Sequence, residues 1–311
     1  MTMSWGSLGA SGGGESAWGD WPSRLKGGGV RGVELPHLAP RDWKARLINT
    51  VGELLSRRPE TLIFFWDEVP LMLDNIKRES GESAAMEVLD TLRSLRQMQP
   101  RLRMVFTGSI GLHNVISSLS ASCYRNSAVN DMLTVDVPPL TPREGERLAQ
   151  GLIEGESIEV EDLGKVARTI SEEVSHIPYY IQYVVDRLKS VGGRVDVAVV
   201  TAVVAACVTD AQDAWSLGHY LKRIYSYYSP DEAEFAVRIL DVIGGSGRAL
   251  GFDDVFNLVK LRIVTEDREM VLRVLRLLES DDYIVRTKRG RFVFRFPLVR
   301  RWWRYERGLT L

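Results

Sequence analysis

The chain has 311 residues, of which 45% are hydrophobic and 26% are charged, and its net charge is −1. This composition predicts about two globular domains and excludes collagen-like and wholly disordered proteins. The longest nearly pure apolar run, residues 197–208, is shorter than the roughly 20 residues of a membrane span. Two cysteines, Cys123 and Cys207, exclude a disulfide framework. Because no export signal is recognisable either, we expect a cytoplasmic protein with no membrane partner.

The first part of the chain differs from the rest in composition. Residues 1–33 hold 10 of the 27 glycines and show neither helical nor strand periodicity. Glycine loses the most backbone entropy on ordering, so we predict a glycine-rich, disordered tail over residues 1–39.

Residues 40–140 alternate between helical and strand patterns. Helical spacing covers Pro40–Ser56 and Ala84–Met98, and Pro100 follows the second helix. Short apolar runs predict three strands, at Leu62–Trp66, Leu102–Thr107 and Leu133–Val137. Strands separated by helices favour an α/β domain whose parallel sheet is covered on both faces.

Two capping boxes mark the start of the next units. Thr141 with Glu144 predicts a helix start that opens an all-helical region over 141–228, and Ser229 with Glu232 opens a further unit over 229–311. In that last unit the pattern predicts three helices, a β-hairpin and a final helix, which is the layout of a winged helix-turn-helix. The predicted segments are Pro230–Ile243, Phe252–Lys260, Asp267–Ser280, Tyr283–Thr287, Phe292–Phe296 and a helix from Pro297.

The sharpest chemical signal is a pair of carboxylates, Asp67 and Glu68, directly after the apolar run Leu62–Trp66. A buried strand fixes its carboxyl end at the sheet edge where ligands of such folds bind. There Asp67 is a candidate to hold Mg²⁺ through its water shell, and Glu68 to polarise a water that attacks a phosphoryl group. The alternative is a strand that runs into a solvated acidic turn.

A polar tip follows the second predicted strand. Thr107 and Ser109 flank a glycine there, and a hydroxyl at this place is a candidate to sense a terminal phosphate. The pattern alone is equally typical of a turn, because glycine lets the backbone reverse. Its position one strand after the acidic pair favours the functional reading.

Taken in order, these motifs resemble the archaeal-type ATPases of the STAND branch of P-loop NTPases. The resemblance covers about residues 40–310 and implies a partial ASCE-type P-loop parallel sheet, a helical lid and a winged helix. It implies that Asp67 and Glu68 are the Walker B pair and that Thr107 and Ser109 lie at sensor 1. It also implies that His176 and Pro178 form the lid motif near the nucleotide, with ATP and Mg²⁺ as cofactors. Without the resemblance, His176 reads as a structural histidine at a helix start.

The chain departs from this family at one essential motif. No Gly-Lys-Ser or Gly-Lys-Thr occurs in the 311 residues, although the phosphate-cradling loop has the form G-x-x-x-x-G-K-[ST]. Two explanations stay open: an upstream portion is missing, or the chain is a degenerate member that no longer holds nucleotide. In both cases we expect this chain alone to bind ATP poorly.

The C-terminal segment is strongly basic. Residues 283–311 hold nine arginines and lysines, and Lys288, Arg289 and Arg291 at the predicted hairpin tip are candidates for DNA phosphate contacts. The alternative is that the basic residues pair with acids of the nucleotide domain, as we expect for Arg300 or Arg304. Trp302 and Trp303 are expected to be buried anchors of the last helix.

Three functions follow from this sequence. The leading one is a STAND-like ATPase that couples nucleotide state to a domain switch, with Arg125 as a candidate arginine finger. The second is a non-catalytic DNA-binding protein that acts through the winged helix. The third is a protein-interaction or self-associating module. The four histidines and two cysteines show no metal-ligand spacing.

Overall fold

The computed structural model describes residues 43–57, 59–108, 112, 116, 128–263 and 266–309. The predicted tail over residues 1–39 lies outside this range, as do the candidate residues Ser109 and Arg125.

The first five elements confirm the predicted helices and first two strands and add one helix. They are α1 (Trp43–Arg57), β1 (Leu62–Trp66), α2 (Val69–Ser80), α3 (Glu82–Met98) and β2 (Leu102–Phe106). The added helix, α2, was not anticipated from the sequence, although Pro70 stands in its first turn, where proline's missing amide costs nothing. The acidic pair therefore leads directly into a helix.

β1 and β2 form a two-stranded parallel sheet. The amide of Leu62 donates to Arg101 at one end and the amide of Thr107 donates to Trp66 at the other, both at 2.9 Å. Side chains alternate across the strands, so that Leu102 and Met104 are buried whereas Phe65 is 76% exposed.

The third predicted strand is wrong. Residues 133–137 are neither strand nor helix, and Leu133 and Val137 are 87% and 86% exposed. Alternating apolar residues become a strand only where a neighbouring strand accepts their backbone hydrogen bonds. No such neighbour lies among the residues that the structure describes.

The rest of the described chain is mostly helical. Its elements are α4 (Pro142–Gly155), α5 (Leu163–Glu173), α6 (Pro178–Val191), α7 (Val197–Val208), α8 (His219–Tyr227), α9 (Pro230–Gly245), α10 (Phe252–Lys260), α11 (Arg268–Ser280), β3 (Ile284–Arg286), β4 (Phe292–Phe294) and α12 (Pro297–Glu306). Both predicted capping boxes are present, with reciprocal hydrogen bonds at Thr141 and Ser229. β3 and β4 pair antiparallel, and an isolated bridge joins Leu250 to Phe292.

The chain divides into two compact units. One contains residues up to 64 with residues 90–105, and the other contains 65–89 with 106–311. The first unit buries Val51, Leu55, Leu92 and Leu95. The second has a small cluster around Val69 and a large continuous core that runs from Ala149 to Trp303. No helix in the described parts combines the length and the apolar character that crossing a bilayer demands.

Candidate functional site

Asp67 and Thr107 meet at the carboxyl ends of the paired strands. The amide of Thr107 donates to Trp66 O at 2.9 Å, and the amide of Val69 donates to Thr107 O at 3.1 Å. These bonds bring the Thr107 hydroxyl to the Asp67 carboxylate, where it donates to Oδ1. The structure therefore brings the two candidate residues Asp67 and Thr107 together.

Glu68 occupies a backbone conformation that is rare for residues other than glycine. Its φ is 52° and its ψ is 38°, in the left-handed region, and it stands at the N-cap of α2. Its amide donates to Asp67 Oδ1 at 3.0 Å, and its carbonyl accepts from Met72 at 3.0 Å. Conformations of this kind are strained and cluster at functional sites. The strained turn places two adjacent carboxylates at the sheet end.

The donor set fits a hydrated divalent cation. Asp67 Oδ1 accepts from the Thr107 hydroxyl and the Glu68 amide, while Oδ2 accepts no hydrogen bond from the described residues. A hard ion such as Mg²⁺ keeps several waters and takes one or two carboxylates, so this exposed oxygen suits it. No group of three or more potential ligands gathers in the described parts, so a site held wholly by protein side chains does not fit there.

A triphosphate does not fit the residues of this chain. Phosphates need a loop of backbone amides with a lysine, and the sequence contains no G-x-x-x-x-G-K-[ST] motif. The 311 residues therefore lack the sequence motif that would hold the phosphates of a nucleotide beside the acidic pair.

His176 lies in a hydrogen-bond network of its own. Its Nδ1 is 2.8 Å from the Ser171 hydroxyl, and its carbonyl accepts from the amide of Leu140 at 3.1 Å. Ser175 and His176 both have a φ of 59°, and Pro178 stands in the first turn of α6. The Ser175 hydroxyl also accepts from the amide of Leu298 at 3.2 Å. This turn thus joins the segment before α4 to the first turn of α12.

Tyr227 at the end of α8 is a residue that sequence reasoning missed. Burial raises the pKa of Tyr227, and the charges of Asp74 and Glu68 act in the same direction. The side chain is therefore within electrostatic reach of the acidic turn. Periodicity alone assigns Tyr227 to a helix end and gives no signal of this neighbour.

The basic residues of the C-terminal segment fall into two groups. Lys288, Arg289 and Arg291 are exposed at the β3–β4 turn, and their side chains make no ion pair or hydrogen bond with described residues. Others are held within the fold, by ion pairs of Arg286 with Glu279, Arg295 with Asp282, Arg301 with Glu173 and Arg307 with Asp241.

Two predictions for this segment can be checked directly. Arg300 does not pair with an acid, because it donates to the carbonyls of Gly244 at 3.1 Å and Ser246 at 2.6 Å. For Arg300 the structure therefore differs from the expected acid pairing, since the carbonyls near the end of α9 need donors that the helix itself does not provide. Trp302 and Trp303 are 5% and 0% exposed, so their predicted burial is confirmed.

Comparison with known proteins shows which fold this chain shares. No protein-family model and no curated protein matches the chain. A solved structure, the Walker-type ATPase PABY2304 of Pyrococcus abyssi, is similar with a TM-score of 0.58 at 16% identity, over 93% of this chain and 75% of that chain. The RuvB Holliday junction branch migration motor of Thermotoga maritima has a TM-score of 0.33 at 17% identity over 80% of each chain, a similarity too low to establish a common fold. The chain therefore shares the fold of a Walker-type ATPase over most of its length.

Proposed function

We propose that this chain is the acidic half of a nucleotide-dependent ATPase site, in a STAND-like switch protein. The proposal rests on one observation: Asp67, Glu68 and Thr107 meet at the carboxyl ends of two paired parallel strands. Ligands of open α/β sheets bind at that edge. The fold likeness to a Walker-type ATPase supports the same assignment.

Each residue has a proposed role. Asp67 holds the water shell of Mg²⁺, and Thr107 fixes the carboxylate rotamer through its hydroxyl. Glu68 orients a water and accepts its proton. When bound, Mg²⁺ supplies charge neutralisation for phosphoryl transfer. Ser109 stays a candidate sensor, His176 and Pro178 candidate lid residues, and Arg125 a candidate arginine finger.

The missing phosphate-binding motif should prevent tight binding of Mg·ATP by this chain alone. Because the 311 residues contain no phosphate-cradling motif, we expect the chain alone to bind Mg·ATP with a dissociation constant above about 1 mM. Isothermal titration measures this directly. A sub-millimolar constant contradicts the proposal that the phosphate-binding half is absent.

The role of Glu68 is tested on the gene product that includes any in-frame upstream sequence. We expect Glu68→Gln to lower ATP turnover by about 10²-fold or more, because it removes the proton acceptor and keeps the shape. Glu79→Gln is the matched control, since Glu79 is an exposed carboxylate near the end of the adjoining helix. Equal turnover in both variants contradicts the assignment.

DNA binding is the second candidate function. We propose that residues 229–311 form a winged helix and that the β3–β4 turn is its wing, supported by the order of α9, α10, α11 and the hairpin. The specific observation is that Lys288, Arg289 and Arg291 are exposed without ion pairs, whereas Arg268 and Arg273 on α11 pair with Asp253 and Glu232. This distribution favours backbone contacts by the wing over base readout by α11.

The DNA proposal has its own measurement. We expect retention of duplex DNA that falls steeply with salt and is lost in a Lys288/Arg289/Arg291 triple alanine. A Lys165/Arg168/Lys189 triple alanine removes the same charge from side chains that pair with carboxylates, and it should retain DNA. An equal loss of DNA retention in both triple-alanine variants contradicts the proposal, because binding then depends on net charge alone.

A further inference from the structure

A cavity lies between the end of α8, the first half of α9 and the end of α12. Its volume is about 560 Å³, within the range of roughly 300–1,000 Å³ that is typical of small-molecule sites. Tyr228, Ala233 and Val237 give it an apolar wall, and they are 9%, 4% and 4% exposed. Tyr225 also lines the cavity and is 61% exposed, so its ring is available to an apolar group of a ligand.

Two arginines in the cavity wall converge on one buried carboxylate. Asp241 is 5% exposed and accepts from Arg307 Nε at 3.0 Å and from Arg307 Nη2 at 3.1 Å. Arg238 Nη1 lies 3.9 Å from Asp241 Oδ2, which is too long for a hydrogen bond. Two guanidinium groups therefore share one carboxylate. Since Arg238 donates no hydrogen bond to the described residues, its donors are available to another acceptor.

A carboxylate in the same wall also has no partner among the described residues. Glu234 is exposed and lines the cavity one helical turn before Arg238, about 6 Å along the α9 axis. A glutamate four residues before an arginine has the favourable orientation for an ion pair on a helix. Glu234 nevertheless makes no ion pair or hydrogen bond with the residues that the structure describes. The wall therefore presents one negative and one positive group beside an apolar surface.

We propose that this cavity binds a free amino acid with a large apolar side chain. The carboxylate of the ligand contacts Arg238 and its ammonium group contacts Glu234, while its side chain packs on Val237. The two charged groups of an amino acid are bonded to one carbon atom, which matches two wall charges that are one helical turn apart. A longer peptide does not match, because its termini lie farther from each other. This goes beyond the proposed function, because it needs neither nucleotide nor the acidic turn.

The charge pattern distinguishes an amino acid from ligands that carry one charge. An apolar carboxylic acid would place its negative charge near Glu234 and leave that side chain without a partner. An apolar amine would place its positive charge near Arg238 in the same way. Like charges brought together oppose binding, so a ligand that carries both charges is favoured over either.

Equilibrium dialysis of the full chain against L-tryptophan tests the proposal. We expect a dissociation constant below about 1 mM. Indole-3-propionate lacks the ammonium group and tryptamine lacks the carboxylate, so each should bind about tenfold more weakly or worse.

Substitutions in α9 test the two assigned contacts. Arg238→Gln and Glu234→Gln should each weaken the binding of L-tryptophan about tenfold or more, because each removes one charge and keeps a side chain of similar length. Arg276→Gln and Glu269→Gln are the matched controls, since both residues are exposed on α11 and do not line the cavity. Both control variants should bind L-tryptophan as the wild type does.

Three outcomes overturn the proposal. A dissociation constant for L-tryptophan above about 1 mM shows that the cavity does not hold an amino acid. Equal binding of L-tryptophan, indole-3-propionate and tryptamine shows that the two wall charges do not recognise the ligand. If both α9 variants bind as tightly as wild type, L-tryptophan binds at another place.

Discussion

The sheet end around Asp67 and the helical core between Ala149 and Trp303 differ in how far their side chains are buried and hydrogen-bonded. In the helical core, two buried side chains donate to buried carboxylates: Trp303 Nε1 donates to Asp241 at 3.0 Å, and Tyr228 donates to Asp281 at 2.7 Å. At the sheet end, Phe65 is 76% exposed and the acidic turn faces solvent. Parallel sheets are normally covered on both faces. Within the part of the chain that the structure describes, the helical core covers its large side chains, whereas Phe65 on the sheet stays uncovered.

Truncation of one aromatic residue in each region tests this difference most directly. Trp303→Ala should lower the free energy of unfolding by about 3–5 kcal/mol, because Trp303 is fully buried and Asp241 loses a donor. Phe65→Ala should change it by less than about 0.5 kcal/mol, because an exposed side chain loses little contact. Urea denaturation followed by circular dichroism measures both.

If Phe65→Ala costs as much as Trp303→Ala, the sheet face is covered in solution and the comparison fails. A two-step unfolding curve would instead sharpen it, because the two regions would then unfold independently.

The sequence predicted elements wherever the local signal and the final contacts agree. The capping boxes at Thr141 and Ser229 fix helix starts through bonds within four residues, so no distant contact is needed to read them. The segment 133–137 carries an equally clear strand pattern, yet a strand requires a partner that sequence periodicity does not reveal.

In the candidate site, too, some features were predictable from the sequence and others were not. Asp67 and Thr107 follow strands that pair, so their proximity is readable from strand order. The left-handed conformation of Glu68 and the approach of Tyr227 depend on where α2 and α8 lie. Those placements come from packing over long sequence separations, which spacing alone does not encode.

Two glycines on α4 differ in the same way, one close to the His176 turn and one in open space. Their substitution should change the free energy of unfolding by less than Trp303→Ala does. A Cβ on Gly145 would lie 2.1 Å from the Ser171 hydroxyl oxygen, whereas a Cβ on Gly151 meets nothing within 4 Å. Gly145→Ala should therefore lower the free energy of unfolding by about 1–3 kcal/mol. Gly151→Ala should raise it by about 0.5–1 kcal/mol, because alanine favours the helix interior.

Denaturation midpoints of the two glycine variants, measured side by side, decide this prediction. The histidine proton signals in the Gly145→Ala spectrum should also shift, because the Ser171–His176 hydrogen bond lies at the collision. If both substitutions raise the free energy of unfolding, the prediction is wrong. The His176 turn then accommodates the added Cβ without a loss of stability.

The smallest expected effect is a pH dependence at the start of α4. Hydrogen bonds from the Thr141 backbone and hydroxyl hold the pKa of Glu144 below its usual 4.5. A depressed carboxyl pKa contributes stability above the unfolded value, and that contribution is lost as the pH falls through the folded value. Glu144→Gln should therefore destabilise the fold slightly at pH 7, and the difference from wild type should shrink as the pH falls through the lowered pKa of Glu144 and the carboxyl becomes neutral.

Glu154→Gln provides the control of opposite sign. Glu154 is exposed in the last turn of the same helix, where the helix dipole disfavours a carboxylate. Replacing this carboxylate by the neutral glutamine should therefore stabilise the fold slightly at pH 7. Thermal unfolding of both variants between pH 3 and pH 7 separates the two ends of one helix. If the difference between Glu144→Gln and wild type does not shrink towards the lowest pH, its effect is steric, and the capping carboxylate is not the source of the pH dependence.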